Sequence, residues 1–85
     1  QAYIIMPGGF GTLDELFEAV TLIQTQRIRT FPIILMGSNY WGGLVKWIRE
    51  RLMRDQMVSK EDIDIFQVMD DPDKIVAYLK KVVIL

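Results

Sequence analysis

The chain contains no cysteine and no histidine. The first absence excludes disulfides and cysteine-based metal sites, and it accords with a reducing compartment. The second removes histidine both as a metal ligand and as an acid–base group. Neither sign of charge prevails: ten Lys and Arg stand against eleven Asp and Glu, a net charge of −1. That balance argues against nonspecific affinity for nucleic acid. No apolar run approaches the roughly 18 residues of a membrane span, and no secretory signal pattern is visible. The expectation is a soluble cytoplasmic protein that partners neither nucleic acid nor membrane.

What the chain has in abundance is apolar surface. Of its 85 residues, 51% are hydrophobic, and the mean hydropathy is +0.20. A free-standing domain of this size buries only about 60–65% of its unfolded surface and needs polar residues to cover the rest. The surplus, with a beginning directly on an apolar strand, predicts that residues 1–85 are the C-terminal part of a single larger α/β domain. Some of that surface then expects a missing N-terminal half or another subunit.

Three short apolar runs alternate with helical patterns. A strand is expected over residues 2–6, apolar on both faces as in a buried parallel strand. A helix over 12–26 follows, with Leu13, Leu16, Phe17, Val20 and Ile23 on one stripe. After the connection 27–30, a second strand occupies 31–36, with Pro32 tolerated near its start. A second helix runs from residue 40 or 41 to 54, with Trp41, Leu44, Val45, Ile48 and Leu52 inward and a Glu50–Arg54 pair outward. Residues 59–62 read as a single capped helical turn, and 65–68 as the third strand. Asp71-Pro72 is an N-cap followed by proline at the first helical position, opening a helix through about residue 81. The order β-α-β-α-(turn)-β-α implies a Rossmann-like parallel sheet with flanking helices and right-handed crossovers.

At the carboxyl end of the first strand stands Met6-Pro7-Gly8-Gly9-Phe10-Gly11-Thr12-Leu13-Asp14-Glu15. In parallel sheets this is where ligands sit. Gly8, Gly9 and Gly11 permit backbone angles closed to other residues and remove Cβ atoms that would block a ligand. A helix N-terminus behind them supplies unpaired N–H groups and a positive dipole end, an anion seat. Glu15 adds a carboxylate close by, ionised if it lies in the first helical turn. A purely structural alternative exists, since Thr12 and Glu15 also satisfy the Ser/Thr-x-x-Glu capping box. The glycine spacing is neither that of the dinucleotide fingerprint nor that of the P-loop. Spacing by itself leaves both readings open.

The string Pro7-Gly8-Gly9-Phe10-Gly11-Thr12-Leu13-Asp14-Glu15 resembles P-G-G-x-G-T-x-x-E, the signature of the Lonely Guy family of cytokinin riboside 5′-monophosphate phosphoribohydrolases. The later strands, Trp41 with its helix and the Asp71-Pro72 helix also resemble that family's C-terminal half in order. The resemblance implies hydrolysis of the N-glycosidic bond of a nucleoside 5′-monophosphate, AMP or a cytokinin precursor, to free base and ribose 5-phosphate. It implies that Gly8, Gly9, Gly11 and Thr12 bind the 5′-phosphate and that Glu15 is catalytic, facing the ribose. There it would stabilise an oxocarbenium-like C1′ or deprotonate the attacking water. Because phosphate and carboxylate repel, Glu15 should point away from the phosphate seat, about 5 Å or more from it. The family's catalytic arginine comes from sequence before this strand and is not Arg27 or Arg29, so the 85 residues alone are expected to be inactive. The family forms dimers or larger oligomers, and the same is expected here.

Older descriptions of the family speak of lysine decarboxylase. A pyridoxal-phosphate enzyme needs a Schiff-base lysine beside its cofactor, whereas the lysine nearest the loop in sequence is Lys46, on another helix. No cofactor and no metal are expected. Two alternatives stand beside the hydrolase: a non-catalytic nucleotide-binding or carrier module, since related Rossmann-like families such as the molybdenum-cofactor carriers reuse the scaffold, and an interaction fragment with a merely structural turn. Among other residues, Trp41 reads as a helix anchor and Trp47 as an intersubunit or interdomain contact. Glu18 reads as exposed or intersubunit, and Lys46, Arg49, Arg51 and Arg54 as a solvated face. Met36, Met53 and Met57 read as gap-fillers in the core or at an interface.

Overall fold

Three runs of branched apolar residues form one parallel sheet in the order β1-β2-β3. The computed structural model describes residues 2–29 and 31–82. The strands are β1 (Tyr3–Ile5), β2 (Ile33–Met36) and β3 (Phe66–Met69). Tyr3 stands opposite Ile33, and Ile33 in turn opposite Phe66. Helix α1 (Phe10–Gln24) joins β1 to β2. Between β2 and β3 lie α2 (Ser38–Trp47), a π-helical continuation (Ile48–Met53) and the short α3 (Lys60–Ile63). Helix α4 (Pro72–Val82) follows β3. This is the α/β, Rossmann-like arrangement that the alternating pattern predicts.

The core forms where α1 and α2 meet the central strand. Leu16, Ala19 and Ile23 of α1, Ile33 and Leu35 of β2, and Trp41 and Val45 of α2 make one buried cluster. Pleating sends Ile34 to the opposite face, where it too is fully buried. Trp41 has no exposed surface, as expected of an anchor, and its Nε1 finds no hydrogen-bond partner. Truncating a buried aromatic of this kind costs about 3–5 kcal/mol.

Several local expectations shift. β1 is shorter than residues 2–6 and is not buried: Tyr3 and Ile4 are 43% and 47% exposed, because β1 forms an edge with β2 on one side only. The expected stripe of α1 turns slightly, so that Ala19 is buried where Phe17 was expected and Phe17 is largely exposed. The second helix leaves α geometry after Trp47, and the Glu50–Arg54 pair gives way to Lys46–Glu50 and Arg54–Asp55 contacts. These ion pairs are exposed and contribute little. β3 begins one residue later than expected, at Phe66. Met53 and Met57 are exposed and so are not part of the core, which leaves the interface half of their reading. The sequence ends on the apolar run Val82 to Leu85, of which residues 83–85 lie outside the described residues, as does Thr30 of the first connection.

Caps follow the local sequence more closely. Ser59 and Asp62 form a reciprocal capping box at α3. The Ser59 N–H holds the Asp62 carboxyl below its usual range, and Gln24 at the end of α1 also donates to it at 2.9 Å. The Asp71 carboxylate accepts the Asp73 N–H at 2.9 Å ahead of α4. Both long helices before β2 and α3 end on glutamines in the left-handed region, Gln26 (φ 60°) and Gln56 (φ 62°). Each sits in a Schellman pattern: Gln26 and Arg27 donate to Ile23 and Leu22, and Gln56 and Met57 donate to Met53 and Leu52.

Candidate active site

The carboxyl ends of all three strands release the chain into helices along one edge of the sheet. After β1 come Met6 to Gly9 and α1, after β2 comes Gly37 and α2, and after β3 come Asp70, Asp71 and α4. These turns are tied to one another. The Gly37 N–H donates to the Met69 carbonyl at 3.2 Å. The Asp70 carboxylate accepts both the N–H and the hydroxyl of Ser38, at 2.6 and 2.8 Å. The Ser38 N–H is the larger cause, with the Ser38 hydroxyl second, of an Asp70 pKa lowered from its ordinary value. From α2, the Tyr40 hydroxyl donates to the carbonyl of Gly8.

Within the glycine loop the structure revises two expectations. Helix α1 starts at Phe10, not at Thr12, and its N-cap is Gly9, which has no side chain to cap with. The Thr12–Glu15 capping box is therefore absent: Thr12 is the third residue of the helix. The first intrahelical bond runs from the Leu13 N–H to the Gly9 carbonyl at 3.2 Å. The N–H groups of Phe10, Gly11 and Thr12 precede it and are left as free donors at the helix start.

The second revision concerns why glycine stands here. None of Gly8, Gly9 and Gly11 has a positive φ; Gly37, at +107°, is where the backbone itself demands glycine. Gly8 is required by space, because a Cβ there would overlap the Thr12 side chain. Around Gly9 and Gly11 an added Cβ would meet nothing within 4 Å. Their missing side chains leave the helix start open to a visitor. Phe10 between them projects outward and is 88% exposed.

Glu15 is exposed and is the sixth residue of α1. It lies beyond the first turn, where the dipole effect fades. Six residues of helical rise place it about 9 Å along the axis from Gly9. At that separation two unit charges repel by about 2 kcal/mol at an effective dielectric near 20. Glu15 lines a groove of about 390 Å³ with Glu18, Tyr3, Leu22 and Phe31, and no residue of the glycine loop borders it. The structure thus gathers Gly8, Gly9, Gly11 and Thr12 at one helix start and sets Glu15 in the neighbouring groove.

Several cationic residues lie elsewhere. Arg27 and Arg29 follow the far end of α1, and Arg49 and Arg51 lie on the π-helical segment. Lys46 and Arg49 border a larger cleft, about 560 Å³, between α2 and β3, which again includes no loop residue. Lys46 does not fit a pyridoxal phosphate held at the loop. Among the described residues no three His, Cys, Asp or Glu side chains gather as a metal site. No described helix is long and apolar enough to cross a membrane. Sequence reasoning passed over Gly37, Tyr40 and Asp70; a glycine directly after an apolar run was the available signal for the first, and nothing local marks the other two.

The sequence model of a family described as "Possible lysine decarboxylase" matches residues 1–79. The chain belongs to this family. The chain is also similar to a curated protein from Oryza sativa subsp. japonica, the "Probable cytokinin riboside 5'-monophosphate phosphoribohydrolase LOGL5". It is 37% identical over 60 residues, which cover 69% of this chain and 24% of the relative. The matched stretch thus spans about a quarter of that relative's length. The parallel sheet with flanking helices is the architecture expected of this possible lysine decarboxylase family.

Proposed function

We propose that the protein carrying this chain hydrolyses a nucleoside 5′-monophosphate, AMP or a cytokinin riboside monophosphate, to free base and ribose 5-phosphate. The observation that carries this reading is the uncapped start of α1, with free N–H groups at Phe10, Gly11 and Thr12 and open space beside Gly9 and Gly11. An anion fits there because the donors are pre-aimed and unpaired, so binding it breaks no protein hydrogen bond. The Thr12 hydroxyl adds a further donor. The rice relative's name supports the substrate class.

With the phosphate on the loop, the ribose extends toward Glu15. As the C1′–N bond breaks, its electron pair leaves with the base, the oxygen of a water bonds to C1′, and one proton of that water ends on the base nitrogen. The Glu15 carboxylate stabilises the positive charge developing on C1′, or takes the proton from the attacking water before it passes to the base. An arginine for the base must come from outside these residues, so we assign the 85 residues the role of the C-terminal part of one Rossmann-like nucleotide-binding domain. The exposed edge of β1 supports this, since its unpaired side and exposed Tyr3 and Ile4 are what a neighbouring strand of the same sheet covers. The apolar surplus, with Trp47 52% exposed, supports assembly as a dimer or larger oligomer. Absence of any arginine from the loop keeps a nucleotide carrier as the second reading.

The test is incubation of the intact protein with AMP and chromatographic assay of adenine. Adenine release is expected, with Glu15→Ala lowering it by about 10²–10⁴-fold while phosphate affinity stays close to wild type. Hydrolysis that persists in Glu15→Ala removes Glu15 from the mechanism. Saturable nucleotide binding without adenine selects the carrier.

A further inference from the structure

We propose that Tyr40 is a positioning residue for the glycine loop: its hydroxyl fixes the Gly8–Gly9 peptide so that the Gly9 N–H stays turned toward an incoming phosphate. This rests on the reading of the loop as a phosphate seat. Tyr40 is the third residue of α2, and its hydroxyl donates to the Gly8 carbonyl across 32 residues of sequence. The peptide is trans, as are all those described. In a trans peptide the N–H points opposite to the C=O. Holding the Gly8 carbonyl at Tyr40 therefore turns the Gly9 N–H the other way, and among the described residues no acceptor takes it. The same bond withdraws a carbonyl dipole that would otherwise be free to swing toward an anion.

The support behind Tyr40 is stiff. Its ring meets the fully buried Trp41 edge-on, with centroids 4.8 Å apart. The start of α2 is itself held to the end of β3 by the Gly37–Met69 and Ser38–Asp70 bonds. On its other side the loop is closed by Thr12, against which Gly8 sits too tightly for any Cβ. Gly8 is thus clamped between the first turn of α1 and the hydroxyl of α2, while Gly9 and Gly11 remain open. A tyrosine serves because only its para-hydroxyl reaches the carbonyl; phenylalanine keeps the packing on Trp41 and loses the clamp.

The experiment compares the intact protein with Tyr40→Phe. AMP hydrolysis should show KM raised about tenfold with kcat within twofold, since a ground-state phosphate contact is weakened. Inhibition by adenosine, which lacks the phosphate, should be unchanged. An unaltered KM overturns the proposal. So does a parallel loss in kcat and in adenosine affinity, which marks a general structural role. Nuclear magnetic resonance titration with inorganic phosphate separates this from the underlying reading. If the wild-type Gly9, Gly11 and Thr12 amides do not respond, the seat itself is wrong and Tyr40 falls with it. If they respond equally in both proteins, the seat stands and the Tyr40 assignment falls. Should Tyr40→Phe not fold, the wild-type Tyr40 ring resonances must shift with the same Kd as the Gly9 amide, and a silent ring overturns the proposal.

Discussion

Replacing Gly11 with alanine should move stability and phosphate binding in opposite directions. Gly11 is the second residue of α1, its φ is not positive, and a Cβ built on it meets nothing within 4 Å. Alanine therefore fits without strain, and helix propensity favours it over glycine by up to about 1 kcal/mol. Because these residues are assigned to a larger domain, 1 kcal/mol raises the Tm of the intact protein by about 2–4 °C, the range for 150–250 residues. If the open space beside Gly11 is the phosphate's, however, the new methyl group occupies it, and phosphate affinity should fall at least about tenfold, or 1.4 kcal/mol. Gly8→Ala is the contrast. Its Cβ overlaps the Thr12 side chain, and overpacking of that kind costs about 1–3 kcal/mol, so stability and binding should fall together. Thermal melts followed by circular dichroism and calorimetric titration with inorganic phosphate read both quantities on the intact protein. A Gly11→Ala variant that binds phosphate at wild-type strength refutes the argument, because the anion then sits somewhere other than the uncovered helix start.

Two further predictions concern stability. Gln26 and Gln56 occupy the left-handed region at Schellman helix ends, a conformation costing an L-residue about 1–2 kcal/mol that glycine avoids. After the entropy glycine loses on folding, Gln26→Gly and Gln56→Gly should each stabilise by about 0.5–1 kcal/mol in urea denaturation, and a loss in either would contradict the assignment. The Asp70 carboxyl is held below its ordinary value first by the Ser38 N–H and then by the Ser38 hydroxyl. A depressed folded-state pKa contributes stability that is present above the unfolded value, near 3.9, and is lost as pH falls through the lower folded one. Asp70→Asn should therefore be less stable than wild type at pH 7, and the gap should close as pH drops below about 4. A gap that stays constant with pH would show that the Ser38 bonds do not favour the ionised carboxylate.

The order of elements was legible because apolar periodicity and capping are local: each depends on residues within a turn or a strand's length. Leu16 and Ile23 at helical spacing, the run Ile33-Ile34-Leu35, the Ser59–Asp62 box and Asp71-Pro72 all do in the structure what their neighbours in sequence dictate. The glycine signature and its place after an apolar strand were legible for the same reason. The start of α1 was not, because the Thr12–Glu15 pattern is a cap by local rules and only the path of the loop puts Gly9 in that place. The purpose of each glycine was hidden likewise: crowding by Thr12 at Gly8, openness at Gly9 and Gly11, and a positive φ at Gly37 differ only in three dimensions. The exposure of β1 depends on which strands flank it, a matter of sheet order rather than composition. Sequence by itself thus determined the elements, their order and the glycine loop that we propose as the phosphate seat. Tertiary structure decided that Tyr40 meets Gly8 and that Ser38 meets Asp70, since each pair is 32 residues apart and only the parallel register of three strands brings their carboxyl ends together.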